Sequence, residues 1–361
     1  MACGECSFVY ADTSGDQKAY TQYYEELSKY EDSRVASGGG DNALDLDRLA
    51  ATGVIIAGLL AQRGKSSKIL DVGCANGGLL NALRGLGFSE LLGVDPSRKC
   101  VEQVRNSGIA ATQGTATDLS ALNGSATYDM AILSHVLEHV VDVKLAILEV
   151  RRLLSDNGIM YVEVPDASRY VQHRFVPFYY FDSEHINHFD AASLANLAAV
   201  TGQRIIAIGK RDLQVDGERT YPAVWVALSS GQPQRVRLSH SGKLRKCVGS
   251  YIVRSSADAR YPAVERLAAT QVPVLLWGAG SHAQRLLKDS PLAGCRIVGI
   301  VDRDRVKQGR TLLGLTIGDP DHALTDLSPD VVIVIASVLH AKAITAEIRT
   351  RNIKNALAIA G

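Results

Sequence analysis

The chain has 361 residues, enough for two domains of ordinary size. Hydrophobic residues make up 46% of it, charged residues 21%, and the formal net charge is +1, so its charge gives no reason to expect nucleic acid or an anionic membrane as a partner. The longest apolar stretch, about 49–61, is too short to cross a bilayer, and no basic and apolar leader opens the sequence. Six scattered cysteines favour a reducing compartment. We therefore expect a cytoplasmic protein.

The predicted elements form an N-terminal segment, a large domain, a linker helix and a smaller domain, which span 1–40, 41–230, 231–270 and 271–361. The N-terminal segment combines a cysteine pair, a tyrosine-rich helix and a glycine-rich stretch. In the large domain helices and strands alternate, which predicts a doubly wound, mostly parallel sheet covered on both faces. Extended runs at 204–209 and 223–229 predict a closing antiparallel hairpin. The alternation restarts in the last part and predicts a second, Rossmann-like α/β domain.

The most informative passage is the turn Asp71-Val-Gly-Cys-Ala-Asn-Gly-Gly78, between a buried strand and a helix. Glycines let such a turn approach a ligand, and ligands of doubly wound folds lie at the carboxyl ends of the strands. The spacing of Gly73 and Gly77 differs from the G-x-G-x-x-G that cradles a pyrophosphate. Asp95 ends the next strand, where it can accept both ribose hydroxyls, and Asp118, at the end of a third strand, can face an adenine amino group. Three acids without a basic clamp suit a cationic sulfonium cofactor.

These features resemble the class I methyltransferases, which use S-adenosylmethionine. The resemblance covers about 45–230 and rests on the loop, the acid of the second strand and the segment 128–139, in the expected order. It implies a seven-stranded sheet and a set of cofactor-binding residues. That set is Asp71, Gly73, Cys74, Ala75, Gly77, Asp95, Pro96, Asp118, Leu119, Ser134 and His135. A generic buried turn and an NAD-binding first domain are the alternatives.

An aromatic run at 175–181 leads into Glu184-His185, and an imidazole beside a carboxylate can act as a base near neutral pH. Together with the Cys3-x-x-Cys6 pair and the predicted Rossmann-like domain at 271–361, this segment resembles the nucleotide-sugar C-methyltransferases. Those enzymes deprotonate a dTDP-linked keto-sugar beside its carbonyl and methylate that carbon. The resemblance implies catalytic roles for His185, Glu184, His139 and Tyr24, and an acceptor pocket that includes Tyr179, Tyr180 and His188.

Two alternatives to this acceptor chemistry stay open. Asp182 stands where that family commonly has tyrosine, which leaves O- or N-methylation of a small metabolite as an alternative. A purely structural role for Glu184, His185 and His188, anchoring the next helix, is the other.

The cysteines and histidines also raise the question of a metal. Cys3 and Cys6 have the spacing of half a zinc knuckle, but a structural zinc site needs four ligands, so free thiols are the expectation and zinc is the alternative. His135 and His139 are four apart on a predicted helix, which could bring both onto one face. The methyltransferase pattern already accounts for these two histidines.

A second glycine loop, Gly278-Ala-Gly-Ser-His-Ala283, fits G-x-G-x-x-A between a predicted strand and helix, and Asp302 closes the next strand. In the C-methyltransferases such a domain helps to enclose the nucleotide-sugar. The resemblance therefore implies that Gly278, Gly280 and Ser281 lie near a phosphate. The alternatives for this domain are a structural role and NAD binding in an oxidoreductase. The sequence leaves the oligomeric state open.

Overall fold

A computed structural model describes residues 1–27, 43–124, 127–181, 184–215, 218–230, 242–337 and 340–360. The chain divides into two compact units, 1–173 with 184–250 and 174–183 with 251–361. The second unit therefore contains the aromatic run that the sequence analysis assigned to the large domain. The glycine-rich stretch at 37–40, Asp182 and the start of the predicted linker lie outside the described residues.

The first unit alternates helices and strands. Its helices are α1 (Gln17–Leu27), α2 (Ala43–Leu59), α3 (Gly78–Gly85), α4 (Arg98–Asn106), α5 (Val143–Arg151), α6 (Ala191–Val200) and α7 (Lys243–Asp258), the last of which continues into the second unit. Its strands are β1 (Val9–Tyr10), β2 (Ile69–Val72), β3 (Leu91–Asp95), β4 (Ala110–Gln113), β5 (Tyr128–Ser134), β6 (Leu154–Pro165), β7 (Asn187–His188), β8 (Gln203–Gln214) and β9 (Thr220–Ser230).

Seven of these strands form one sheet in the order β4-β3-β2-β5-β6-β9-β8. The neighbours from β4 to β6 are parallel, whereas β9 runs antiparallel to both β6 and β8. The predicted mostly parallel sheet with an antiparallel closing hairpin is confirmed. The strand order reverses between β2 and β5, so the carboxyl ends of these two strands flank the point where doubly wound folds bind ligands.

Local sequence explains how helices cover this sheet. Leu79, Leu80 and Leu83 fall on one face of α3, as the helical period requires, and all three are buried. Side-chain caps fix where the following helices begin: the Ser97 hydroxyl accepts from the Cys100 N–H and the Asp142 carboxylate from the Leu145 N–H. The helix starts, and the loops before them, are thereby held at the carboxyl edge of the sheet.

A small two-stranded sheet joins the N-terminal segment to the Glu-His segment, which contains Glu184 and His185. β1 pairs antiparallel with β7, with Val9 opposite His188 and Tyr10 opposite Asn187. The Asn187 side chain also donates to the carbonyls of Leu137 and Val140, at 3.1 and 2.6 Å. These bonds bring three distant parts of the sequence to one place.

The second unit contains a six-stranded sheet in the order β12-β13-β11-β10-β14-β15. Its strands are β10 (Val274–Trp277), β11 (Ile297–Val301), β12 (Thr311–Leu312), β13 (Leu315–Gly318), β14 (Val332–Ile335) and β15 (Leu357–Ile359), and its helices are α8 (Pro262–Thr270), α9 (Ser281–Asp289), α10 (Pro320–Ala323) and α11 (Ala341–Thr350). Apart from the β12–β13 pair, its neighbouring strands are parallel. The predicted second α/β domain is therefore present. In the described part of the chain, every helix is too short or too polar to span a membrane.

Candidate active site

The loop after β2 is held against β3 by main-chain hydrogen bonds. The N–H groups of Gly73 and Cys74 both donate to the Val94 carbonyl, at 2.7 and 3.0 Å. Gly73 and Gly77 have φ values of 78° and 79°, in the left-handed region that favours glycine. A Cβ at Gly73 would lie 2.6 Å from Val136 Cγ2. The turn therefore leaves no room for a side chain at this position.

The same loop orients the acid at the end of β3. The Ala75 N–H donates to Asp95 Oδ2 at 2.8 Å, and the Ser97 N–H donates to Oδ1 at 2.9 Å. Ala75 adopts a left-handed φ of 46°, which turns its N–H toward the carboxylate. Each carboxylate oxygen keeps a further lone pair, so Asp95 can accept hydrogen bonds from two ligand hydroxyls.

The electrostatics of this loop favour a ligand without phosphates. Burial raises the pKa of Asp71 to about 7, and the charge of Asp95 adds to the shift. Burial also raises the pKa of Asp95 to about 6, although hydrogen bonds from the N–H groups of Ser97 and Ala75 oppose this shift. Among the described residues, neither carboxylate forms an ion pair with a basic side chain. A positively charged ligand with hydroxyl donors would stabilise both carboxylates.

The other predicted cofactor residues surround this loop. Cys74 and Leu119 are buried, and burial raises the pKa of the Cys74 thiol. The Pro96 carbonyl accepts from Gln113 Nε2 at 2.9 Å. Asp118 lies in a turn beyond β4, exposed, and hydrogen bonds from Ser120 lower its pKa. Asp118 is accessible to a ligand, although it does not directly end a strand as we predicted.

The predicted helix through His135 and His139 is wrong. Ser134 ends β5, His135 has a left-handed φ of 56°, and only Leu137–His139 form a short 3-10 turn. The chain leaves the sheet at His135, so the two histidines do not share a helical face. His135 instead lies between two carboxylates, with Nδ1 3.2 Å from Glu138 Oε1 and Nε2 3.5 Å from Glu163 Oε1.

These carboxylates belong to a buried polar network that the sequence analysis missed. Arg211 and Tyr161 both donate to Glu163 Oε2 at 2.8 Å, and Arg211 also donates to the Thr52 hydroxyl at 2.7 Å. Burial alone would raise the pKa of Glu163, but His135, Arg211 and Tyr161 outweigh it and hold the value at about 2. The network joins α2, β6 and β8 to the loop after β5.

All four predicted catalytic residues lie in one cluster at the carboxyl side of β5. The Tyr24 hydroxyl donates to Glu184 Oε2 at 3.4 Å, and His139 Nδ1 lies 2.9 Å from the Glu184 carbonyl oxygen. The His139 and His185 rings are 4.8 Å apart, and the Tyr24 ring meets His139 edge-on at 5.6 Å. Tyr23, which the sequence analysis missed, donates to Glu184 Oε1 at 3.0 Å. The tyrosine-rich N-terminal helix was the signal that could have included it.

Two of the predicted acceptor residues, His188 and Tyr180, are fully buried. His188 is fully buried in β7, with Nδ1 3.3 Å from the Tyr170 hydroxyl, because its strand pairs with β1. Tyr180 is fully buried in the second unit, where its ring packs 5.5 Å from that of Tyr251. Both act as core residues. Tyr179 also belongs to the second unit and is partly exposed beside Phe175, with ring centroids 4.3 Å apart.

The N-terminal thiols form a pair at a tight turn. Hydrogen bonds from the Cys6 and Glu5 main chain, and from the Cys6 thiol, lower the pKa of Cys3, while burial raises the pKa of Cys6. Both are free cysteines. Within the described residues, no further histidine, cysteine or carboxylate joins them in a metal-like cluster.

The second glycine loop follows β10. Gly278 has a φ of 115°, and a Cβ there would lie 3.2 Å from the Ala336 carbonyl. Gly280 caps α9, whose first residue is Ser281, and a Cβ at Gly280 would meet nothing within 4 Å. The Ala279 N–H donates to Asp302 Oδ2 at 2.7 Å, and Lys307 Nζ lies 3.3 Å from the same oxygen.

Part of the first unit matches a known family of domains. Residues 46–208 match a family model described as a methyltransferase domain, so this part of the chain resembles methyltransferase domains. Residues 271–358 match a second model, described as C2185-like, N-terminal.

Similar curated proteins match only part of this domain. A ubiquinone biosynthesis O-methyltransferase of Rhizobium rhizogenes is 31% identical over 105 residues, which is 26% of this chain and 40% of that protein. Its counterpart in Azorhizobium caulinodans is 32% identical over 104 residues, 27% of this chain and 40% of that protein. A nonribosomal peptide synthetase of Metarhizium robertsii is 31% identical over 103 residues, 26% of this chain and 1% of that protein. The chain thus spans about 40% of the length of these O-methyltransferases.

Solved structures show more distant similarity. Magnesium protoporphyrin IX methyltransferase from Synechocystis, solved with S-adenosylhomocysteine, has a TM-score of 0.46 and 17% identity, over 60% of this chain and 100% of that one. The 1,6-didemethyltoxoflavin N1-methyltransferase of Burkholderia thailandensis has a TM-score of 0.44 and 15% identity, over 64% of this chain and 98% of that one.

Proposed function

We propose that the protein is a methyltransferase that binds S-adenosylmethionine at the loop after β2. Asp95 accepts the ribose hydroxyls, Asp71 provides negative charge for the cationic part of the cofactor, and Asp118 with Leu119 borders the adenine. The support is the match of residues 46–208 to a methyltransferase domain, together with two buried acids that have no basic partner among the described residues. A diphosphate would add negative charge beside those acids, so a dinucleotide fits this loop poorly.

The acceptor is a nucleotide-activated keto-sugar, methylated at the carbon next to its carbonyl. The observation that carries this proposal is the cluster of Tyr23, Tyr24, His139, Glu184 and His185. Both tyrosine hydroxyls donate to the Glu184 carboxylate, His139 Nδ1 lies 2.9 Å from the Glu184 carbonyl oxygen, and the His139 and His185 rings are 4.8 Å apart. Removing a proton beside a carbonyl needs a base with a pKa near neutrality and donors for the oxyanion that forms. An imidazole of this cluster can serve as the base, while each of the two tyrosine hydroxyls donates its single proton to Glu184.

In this mechanism the Glu-His pair removes the proton. His185 takes it from the carbon beside the carbonyl, and the Glu184 carboxylate, held by Tyr23 and Tyr24, keeps the segment in place. His139 donates its Nδ1–H to the Glu184 carbonyl, which fixes the ring. When bound, S-adenosylmethionine supplies an activated methyl group, whose bond to sulfur breaks as the bond to the acceptor carbon forms. The proton passes from His185 to solvent.

We also propose that the second glycine loop binds phosphate, at Gly278, Gly280 and Ser281. α9 begins at Ser281, and the unpaired N–H groups and dipole of a helix N-terminus favour phosphate. The support is local geometry, so this assignment is separable from the methyltransferase activity.

A second candidate is O-methylation of a small hydroxylated metabolite. It is favoured by the curated relatives, which are named ubiquinone biosynthesis O-methyltransferases and match about a quarter of the chain. The same base would then deprotonate a hydroxyl group, and the second unit would have no ligand.

Kinetics of a His185→Ala variant test the catalytic assignment. We expect kcat/KM to fall at least about a hundredfold, because general bases usually contribute that much, while affinity for S-adenosylhomocysteine is unchanged. His322→Ala, an exposed histidine of α10, is the matched control. Turnover of His185→Ala within about threefold of the unaltered protein would overturn the assignment.

Thermal unfolding with dTDP and dTDP-sugars separates the two acceptors. A ligand that binds only the folded protein raises its melting temperature, so dTDP alone should stabilise the chain if the first candidate is correct. With a ¹³C-labelled methyl donor, NMR of the product distinguishes a methyl group on carbon from one on oxygen. Stabilisation by small phenols but not by dTDP, with a methyl ether as product, would favour the second candidate.

A further inference from the structure

The cluster around His139 also contains the elements of a metal site. One ligand atom each from Glu138, His139 and His185 lies within 4.8 Å of the other two. Glu138 and His139 belong to the short turn after β5, and His185 precedes β7, so the turn and the Glu-His segment both contribute. Small shifts of side chains of this kind can close such a set around one ion.

The hydrogen bond of His139 Nδ1 orients Nε2 of the same ring toward Glu138. A carbonyl oxygen only accepts hydrogen bonds, so His139 Nδ1, 2.9 Å from the Glu184 carbonyl, carries the proton. In the neutral ring Nε2 is then an acceptor, and it lies 4.0 Å from Glu138 Oε1, which is also an acceptor. Metal-binding histidines commonly donate their other ring N–H to a carbonyl in this way.

Glu138 supplies a second, independent observation. Its side chain is 1% exposed, and Oε2 accepts no hydrogen bond from the described residues. A buried carboxylate oxygen without a partner is costly, and ordinarily a donor or a cation satisfies it. The other oxygen, Oε1, is held by His135, which is in turn braced by Glu163. Such outer partners orient the ligands of metal sites.

We propose that Glu138, His139 and His185 bind a divalent transition-metal ion of the zinc class. Two imidazole nitrogens and one carboxylate favour zinc, cobalt, nickel or iron over magnesium and calcium, which prefer all-oxygen sites. Three protein ligands leave positions free for an oxygen of the acceptor. The site is thus of the open, catalytic type rather than the closed, structural type.

This inference rests on the proposed function in that the ion occupies the same acceptor site. His185 is then a ligand, and the role of proton acceptor passes to Glu184, the other member of the pair. The ion would bind an oxygen of the acceptor and would stabilise the negative charge left when the neighbouring carbon loses its proton to Glu184. The methyl group bonds to that carbon as its bond to sulfur breaks, and the donor leaves as the neutral thioether.

Zinc titration of the full-length chain tests the site. The chain carries Cys3→Ser and Cys6→Ser to remove the thiol pair, is stripped with a chelator, and is titrated calorimetrically with Zn²⁺. We expect a single ion per chain, with affinity reduced at least about a hundredfold by Glu138→Gln and by His139→Ala, since even loss of outer partners costs about ten- to a hundredfold. His322→Ala should bind zinc normally. Because Glu138→Gln could fail to fold, each variant is checked by circular dichroism, and His185→Ala is the second ligand variant.

Spectra of the Co²⁺-loaded protein supply a readout that does not depend on activity. Ligand-field bands that His185→Ala alters and His322→Ala leaves unchanged support the site. No zinc binding by the cysteine-free chain, or equal binding by all ligand variants, would overturn it. A stripped protein that still methylates a dTDP-keto-sugar at full rate would refute the metal and leave the proposed function intact. Zinc binding at the cluster without methylation of any nucleotide-sugar would support the metal and refute the acceptor.

Discussion

The two glycine loops of this protein share one hydrogen-bonding pattern and differ in charge. In the first unit Asp95 accepts from the N–H groups of Ala75 and Ser97, at 2.8 and 2.9 Å. In the second unit Asp302 accepts from those of Ala279 and Asp304, at 2.7 and 2.9 Å. Each loop thus turns one N–H toward the acid that ends or follows the neighbouring strand. The backbone geometry alone does not distinguish their ligands.

The side chains around the two acids do distinguish them. Asp95 has another buried acid, Asp71, as its neighbour, whereas Asp302 has Lys307 Nζ at 3.3 Å. A cationic, hydroxyl-bearing ligand is therefore stabilised at the first loop, while the lysine at the second already neutralises the acid. The ligand of a nucleotide-type loop is better inferred from its charged neighbours than from its glycine spacing.

The largest expected effect on cofactor affinity comes from Asp95, and Asp302 is its counterpart in the second loop. Asp95→Asn replaces an acceptor oxygen with a donor. Affinity for S-adenosylhomocysteine should therefore fall about a hundredfold, because hydrogen bonds to a charged group are worth about 1.5–3 kcal/mol each. Asp302→Asn is the matched control and should leave that affinity unchanged. Calorimetric titration of both variants measures it. Equal losses in the two variants would contradict the division of roles between the loops.

Glycine substitutions test the difference between the two loops by their effect on the free energy of unfolding. Gly73→Ala places a Cβ 2.6 Å from Val136 at a φ of 78°, so the free energy of unfolding should fall by about 2–4 kcal/mol. Gly280→Ala meets nothing within 4 Å and should change it by no more than about 1 kcal/mol. Urea denaturation of both variants is the measurement. A neutral Gly73→Ala would show that the first loop is looser than its contacts indicate.

pH should affect the first loop in a defined direction. Because the pKa of Asp71 is raised to about 7 and that of Asp95 to about 6, both are protonated more readily when folded than unfolded. Without ligand, their contribution to stability is present at low pH and is lost as pH rises through about 4 to 7. Ligand binding favours the charged forms, so affinity for S-adenosylhomocysteine should rise about tenfold from about pH 5.5 to 8. Asp71→Asn should flatten that profile, and an unchanged profile would assign it to other groups.

The smallest effect is expected at Lys307. This lysine is about one-third exposed, so Lys307→Met should change the free energy of unfolding by less than about 1 kcal/mol. It should leave affinity for S-adenosylhomocysteine unchanged. Any loss of that affinity would connect the second loop to the cofactor and weaken the contrast.

Local sequence predicted much of this architecture. Short, mostly apolar runs such as Ile69–Val72 and Val274–Trp277 predict buried strands, and the turns after them predict both glycine loops. Glu184 and His185 were singled out because adjacent carboxylate and imidazole groups are chemically distinctive. Local sequence patterns mainly contain two kinds of information: the hydrophobic periodicity of each helix or strand, and the chemistry of individual side chains.

Long-range contacts account for what the sequence left out. Tyr23 meets Glu184 across 161 positions, and Arg211 meets Glu163 across 48, so no local pattern reveals either pair. The burial of His188 depends on its pairing with β1, and that of Tyr180 on Tyr251 in the second unit. The four-residue spacing of His135 and His139 favoured a helix, but the left-handed φ of His135 interrupts any helix there.

The central claim is that the first loop, and not the second, accepts an adenosyl ligand without phosphates. Calorimetric titration of the full-length chain with S-adenosylhomocysteine, and separately with NAD, tests it most directly. We predict saturable binding of S-adenosylhomocysteine that Asp95→Asn weakens, and no heat from NAD beyond dilution. Binding of NAD with no binding of S-adenosylhomocysteine would contradict the account.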